Sequence, residues 1–231
     1  MYSDIEDFFF NNYFMAFYVL ALAFALVRYR RYFDTALKHL PILIAYTLIT
    51  EILGLLIREN EDIQLVYIEG YSYYNSLIFN IFDLVFFLYF FYVFWITITD
   101  VKFRNLTKWG ALLFIIASVI NAFLQDFVLY PQILASSIGS VVLIGCVLKY
   151  YGLLRRNVQT RKRHDLLFWI SLGLLLFYAF YPFILLIGYF DYELYQKLHI
   201  RLLQHALIAL MYSCFILGFI RMKRIRPTED L

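Results

Sequence analysis

The sequence predicts an all-α polytopic membrane protein of seven transmembrane helices. Three observations carry this. Of 231 residues, 63% are hydrophobic and 16% charged, whereas a soluble domain is nearer half apolar and a quarter charged. Mean hydropathy is +0.72 and aromatics reach 21%, with 25 Phe and 21 Tyr, more apolar surface than a water-soluble fold of this size can hide. The apolar residues also fall in near-continuous runs of about 20, the length a helix needs to cross a bilayer. Barrel strands alternate in shorter segments instead.

The first run, 9–27, follows Asp4, Glu6 and Asp7 and precedes Arg28, the reverse of a signal peptide's charge order. The second, 40–57, closes at Arg58 and carries Glu51. The third, 75–97, is the aromatic stretch NSLIFNIFDLVFFLYFFYVFW and its neighbours, interrupted by Asn80 and Asp83. The fourth, 109–127, contains Asn121, Gln125 and Asp126. The fifth, 131–149, opens on Pro131–Gln132 and holds Ser136, Ser137 and Ser140. The sixth, 166–188, contains Pro182, which should kink it, between Gly173 and Gly188. The seventh, 202–220, has Gln204 and His205 in its first turn. No linker is long enough to form a second domain, so residues 1–231 read as one seven-helix domain. Cys146 and Cys214 fall inside helices, with no disulfide framework.

Lysine and arginine set the expected orientation. The linkers 28–39, 98–108 and 149–165 and the tail after 220 hold 17 of the 20; Arg58, Lys197 and Arg201 lie on the other side. The positive-inside rule then places the N-terminus outside and the C-terminus in the cytoplasm. The basic loops read as topology signals and lipid-headgroup contacts, not as a nucleic-acid surface. The bilayer is the first partner implied, and the expected location is a cell membrane, a bacterial inner membrane.

That layout gives each intramembrane polar residue a depth. Asp83 lies about 12 Å and Glu51 roughly 9 Å below the outer end, at about 1.5 Å per residue. Asn80 stands one turn above Asp83 on the same face. Asn121, the serines of the fifth segment, Tyr178 and Tyr181 before Pro182, and His205 complete an outer-half cluster, while the inner half is nearly all apolar. Ionisable groups in a bilayer face a bundle interior or a water-filled cavity. Glu51, Asn80, Asp83, Asn121, Tyr181 and His205 are therefore the candidate ligand-binding residues. The simpler alternative makes Asn121 and the serines interhelical glue, Gln125 and Asp126 interfacial residues, His205 a cap or bridge, and the two carboxylates a structural pair.

Several chemistries are disfavoured. No lysine lies inside a segment to form a retinal Schiff base. The four histidines split between the two faces, His39 and His164 against His199 and His205, so three cannot meet at a zinc ion. No serine-hydrolase motif is present. Pro131–Gln132 lacks the partner dipeptide of a PQ-loop transporter, and inverted repeats are not visible. No catalytic residue, metal or cofactor is expected.

The stretches FWISLGLLLFYAFYPF and LLQHALIALMYSCFILGF resemble the last two helices of small uncharacterised seven-helix bacterial membrane proteins, some encoded beside histidine kinases. The resemblance covers mainly these two helices and implies a sensory partner role. The expected function is thus a sensor or receptor-like module. It binds a small ligand or lipid from the outer side and signals through a cytoplasmic or membrane partner. The alternatives are a small-molecule or proton-coupled transporter using Glu51 and Asp83, and a lipid-modifying membrane enzyme with acid/base carboxylates.

Overall fold

The computed structural model describes residues 12–59, 76–156 and 165–223, and all its regular elements are helical. Helix α1 spans Phe14–Arg28, followed by a 3-10 turn at Tyr29–Arg31; α2 is Leu40–Glu59, α3 Ser76–Thr97, α4 Val101–Leu124 and α5 Ile133–Arg156. The sixth apolar run forms two helices, α6 (Leu166–Tyr178) and α7 (Tyr181–Phe190), before a short α8 (Tyr192–Lys197) and α9 (Ile200–Arg221). Among the described residues six stretches are long and apolar enough to cross a membrane: Leu40–Ile57, Ser76–Thr97, Val101–Leu124, Ile133–Arg156, Leu166–Phe190 and Ile200–Arg221. Helix α1 is apolar up to its closing Arg28 but has 15 described residues, and positions 9–11 of the first expected segment lie outside the described residues.

The boundaries depart from the bilayer-length expectation in three places. Helix α4 begins at Val101, not 109, because Asp100 caps it by accepting from the Lys102 and Phe103 amides. Helix α5 runs to Arg156, past the expected end at 149. Both corrections have one cause: a helix need not stop where the apolar core stops, since long basic side chains reach the interface along its flank. The third is the added helix α8, whose Asp191 cap accepts from Leu194 N at 2.9 Å.

Neighbour contacts run α1–α2–α3–α5–α6–α9 and back to α1, a closed ring, with α4 outside it against α3 and α5. Buried positions along α1 (Phe14, Tyr18, Ala21, Ala25) recur at helical spacing and form one inward face. The ring is tightest where α6 meets α9. A Cβ on Gly173 would sit 2.7 Å from the Met211 carbonyl oxygen, and one on Gly218 2.9 Å from Trp169 Cβ. Small residues let the two backbones approach this closely.

Helix α3 explains the aromatic run. Phe86, Phe87, Phe90, Phe91 and Phe94 are all buried, at the i, i+3, i+4 spacing of one helix face. Phe86–Phe90 centroids are 4.9 Å apart and Phe87–Phe114 5.0 Å. The outer surface of the bundle is apolar too: Phe123 of α4 is 86% and Val27 of α1 79% exposed, suited to lipid chains rather than water.

The two ends of the bundle differ. At one, Lys149 pairs with Asp100 at 2.6 Å, Arg104 lies over the Trp95 ring at 4.2 Å and Arg221 over Trp169 at 4.8 Å. Arg31 donates to the Met222 carbonyl and Tyr150 to the Asp165 carboxylate, which also caps α6. This is the basic end. The other end contains the cavity.

Candidate functional site

Pro182 shapes the cavity from its own helix. It has no N–H to donate to the Tyr178 carbonyl four residues back, and its ring crowds that carbonyl. The helix accordingly stops at Tyr178 and restarts at Tyr181 with proline in its first turn. Both tyrosines flanking the break line a cavity of about 340 Å³. Facing them are Tyr18 from α1, Thr47 and Glu51 from α2, Asp83 from α3, and His205 and Tyr212 from α9.

Each carboxylate is held by hydroxyl donors. Asp83 Oδ2 accepts from Ser136 Oγ at 2.7 Å and from Tyr181 OH at 3.2 Å. Glu51 Oε1 accepts from Tyr18 OH at 3.2 Å. Tyr212 OH donates to Thr47 Oγ1 at 3.3 Å. The two acids are linked through the phenols between them. Tyr181 lies within electrostatic reach of both Asp83 and Glu51, Tyr178 of Asp83, and Tyr212 of Glu51. These oriented dipoles suit a charged or strongly polar group placed at the centre.

The floor is aromatic. Phe86 and Phe87 pack against Tyr178 with centroids 5.6 and 4.9 Å away, and Phe90 and Phe94 continue the packing toward the basic end. The roof is tied down by a loop. Ser76 Oγ donates to Leu129 O, and Asn80 Nδ2 to Phe127 O (2.8 Å) and Tyr130 O (2.9 Å), while Asn80 Oδ1 accepts from Gln132 N. Asn121 does the same from α4: its Oδ1 accepts from Leu134 N at 2.9 Å and its Nδ2 donates to Gln125 at 2.7 Å. At the mouth, His205 lies against Phe14 with centroids 4.3 Å apart. Ser76, Pro131, Arg201, Gln204 and His205 line both this cavity and an adjoining space of about 730 Å³ walled by α7 and α8.

Of the six residues singled out by sequence, Glu51, Asp83, Tyr181 and His205 meet at the cavity. Asn80 and Asn121 are buried, outside its wall, with their amides bonded to the α4–α5 connection. Sequence reasoning passed over Tyr18, Thr47, Tyr212 and Arg201 as site residues. A signal existed for Tyr18: it is the one polar side chain on the inward face of α1. Tyr212 had none, because α9 is apolar on nearly every side. Among the described residues no group of three His, Cys, Asp or Glu is placed to hold a metal ion, and both cysteines are buried and free.

No protein-family model matches the chain, and no curated protein or solved structure matches it.

Proposed function

We propose that this is a seven-span membrane protein, N-terminus outside, acting as a receptor-like sensor that binds a small ligand from the outer side. The observation that carries this reading is a polar cavity whose floor is packed aromatic side chain. Asp83 and Glu51 sit among phenols at one end, and beneath them Phe86, Phe87, Phe90 and Phe94 are packed and buried. A carrier needs alternating access to both faces around a central site; a floor of packed aromatic side chains favours binding without passage. The basic loops offer a cytoplasmic partner a docking surface, and the helix break at Tyr178–Tyr181 supplies a hinge by which occupancy shifts helix packing.

Access from each face tests this. In a Cys146→Ala, Cys214→Ala background, cysteines replace Leu185 in the cavity wall and Phe90 below its floor. A membrane-impermeant thiol reagent applied from outside should label position 185 and leave position 90 unmodified. From the cytoplasmic face neither should react. Labelling of position 185 from the cytoplasm alone would invert the topology. Labelling of both positions from both faces would make the protein a carrier.

A further inference from the structure

The cavity's charge layout says what kind of molecule fits it, an inference that rests on the ligand-binding reading above. Charge changes sign with depth. Asp83 and Glu51 lie within, and Arg201 stands at the rim where the cavity meets the adjoining space. Asp83 is only 9% exposed. Both of its hydroxyl donors bind Oδ2; among the described residues Oδ1 has no protein partner. Asp83 lines the cavity, so this oxygen is an acceptor open to a donor placed there.

The walls specify the donor further. Phe82, Phe86, Tyr18, Tyr178, Tyr181 and Tyr212 present rings around the two acids. Aromatic faces attract cations, organic ammonium groups above all. A bare divalent ion would ask instead for six or more oxygen ligands, which phenylalanine walls do not supply. At the rim, Arg201 is exposed and has no carboxylate partner among the described residues. Guanidinium is suited to bidentate capture of a carboxylate or phosphate. A molecule with one positive charge would pass this arginine at a cost, whereas one carrying both signs satisfies both levels. The volume of about 340 Å³ is at the lower end for small-molecule sites, room for a headgroup or an amino-acid-sized solute.

We propose that the cavity binds a small zwitterion, its ammonium group lodged against Asp83 and Glu51 among the tyrosines and its anionic group held by Arg201.

The test uses the full chain in nanodiscs of phosphatidylglycerol, a lipid without an ammonium group, with phosphocholine, glycine betaine, choline and inorganic phosphate as probes. Thermal unfolding and calorimetric titration are read for each. Phosphocholine or glycine betaine should raise the unfolding midpoint and bind at least about tenfold more tightly than choline, a gap of roughly 1.4 kcal/mol. Phosphate alone should give no shift. Asp83→Asn should weaken the zwitterion at least about tenfold, and Arg201→Gln, an exposed change that spares the fold, should erase the gap between phosphocholine and choline. Equal binding of choline and phosphocholine, binding of phosphate alone, or no shift from any probe overturns the proposal. The one-sided thiol labelling of the cavity is untouched by those results, so the two readings fail separately. The source of the zwitterion is decided by native mass spectrometry after adding phosphatidylcholine. Retained lipid that phosphocholine displaces marks a headgroup site, and binding of glycine betaine without retained lipid marks a site for a free solute.

Discussion

The two ends of this bundle use the same residue types in opposite ways. At the cavity end, tyrosines turn their hydroxyls inward to hold Asp83 and Glu51 around an open space. At the basic end, tyrosines and tryptophans face the rim: Trp95 and Trp169 carry arginines on their rings, and Tyr150 bonds Asp165. Between them lies a close-packed aromatic layer. The contrast teaches that composition alone does not separate a binding site from a membrane anchor, since both are aromatic; the difference lies in whether hydroxyls converge on carboxylates or diverge to the interface. Any displacement in the cavity must also cross that packed layer to reach the basic end.

The aromatic layer is therefore the place to break the contrast most severely. Phe87 is fully buried between Phe86, Phe91, Phe114 and Tyr178. Phe87→Ala should cost about 3–5 kcal/mol, the usual range for a buried phenylalanine whose neighbours cannot collapse, measured by denaturation in a membrane mimetic. A loss below about 1 kcal/mol would mean that the layer is loosely packed and the cavity is not floored by it.

Next in size is the α6–α9 contact. Gly173→Ala drives a methyl into the Met211 carbonyl and should cost about 1–3 kcal/mol, as overpacking does. Gly145→Ala is the control, since nothing lies within 4 Å of a Cβ there, and it should be neutral or gain up to about 1 kcal/mol from helix propensity. Equal effects at the two glycines would place no special closeness between α6 and α9.

How much of this was legible in the sequence depends on which physics wrote each feature. Approximate spans come from the bilayer's thickness, and six of the seven expected segments appear as candidate spans among the described residues. The helix ends do not follow from it, because Asp100 capping and basic side chains at the interface act outside the apolar core. Glu51 and Asp83 stood out because a carboxylate in an apolar run has few explanations. Asn80 and Asn121 carried the same apparent signal, yet an amide both donates and accepts and so serves equally to tie down a loop. Tyr181 stood out by its place before Pro182, but Tyr212 was invisible among 21 tyrosines; only the fold says which hydroxyls turn to the cavity.

Substitutions at Asp83 sharpen the cavity side of the comparison. Asp83→Leu leaves Ser136 and Tyr181 without their acceptor and should cost about 1–2 kcal/mol, while Asp83→Asn keeps an acceptor of the same size and should cost about half a kcal/mol or less. Denaturation midpoints of the two variants check this. Equal tolerance of both would reduce Asp83 to an ordinary helix residue.

The basic end answers to pH instead. The Lys149 ammonium beside Asp100, helped by the Phe103 amide, holds its carboxyl below the ordinary value of 3.8. A lowered carboxyl contributes stability above its unfolded value and loses it as pH falls through the lowered folded one. Stability should thus drop on acidification below about 4, and Asp100→Asn should remove that part of the drop. Acid curves of wild type and variant that superimpose would show the pair adds nothing, as exposed pairs often do.

The smallest effect is expected at the cavity's lip. His199 caps α9 with φ 50° and ψ 41° and makes no side-chain cap, a left-handed conformation that costs a side-chain-bearing residue roughly 1–2 kcal/mol. Glycine adopts it freely but loses more chain entropy on folding, about 0.5–1 kcal/mol. The second term offsets part of the first, so His199→Gly should leave stability unchanged or raise it by up to about 1 kcal/mol, while His199→Val, branched at Cβ, should lower it by more than about 1 kcal/mol. His199 also lines the outer space beside Arg201. Strain at such a position persists only where surrounding contacts enforce it, here the turn from α8 into α9 that sets Arg201, Gln204 and His205 at the mouth. A clear loss of stability with glycine would mean that the imidazole makes contacts that outweigh the strain, and that the lip, like the floor, is held by packing.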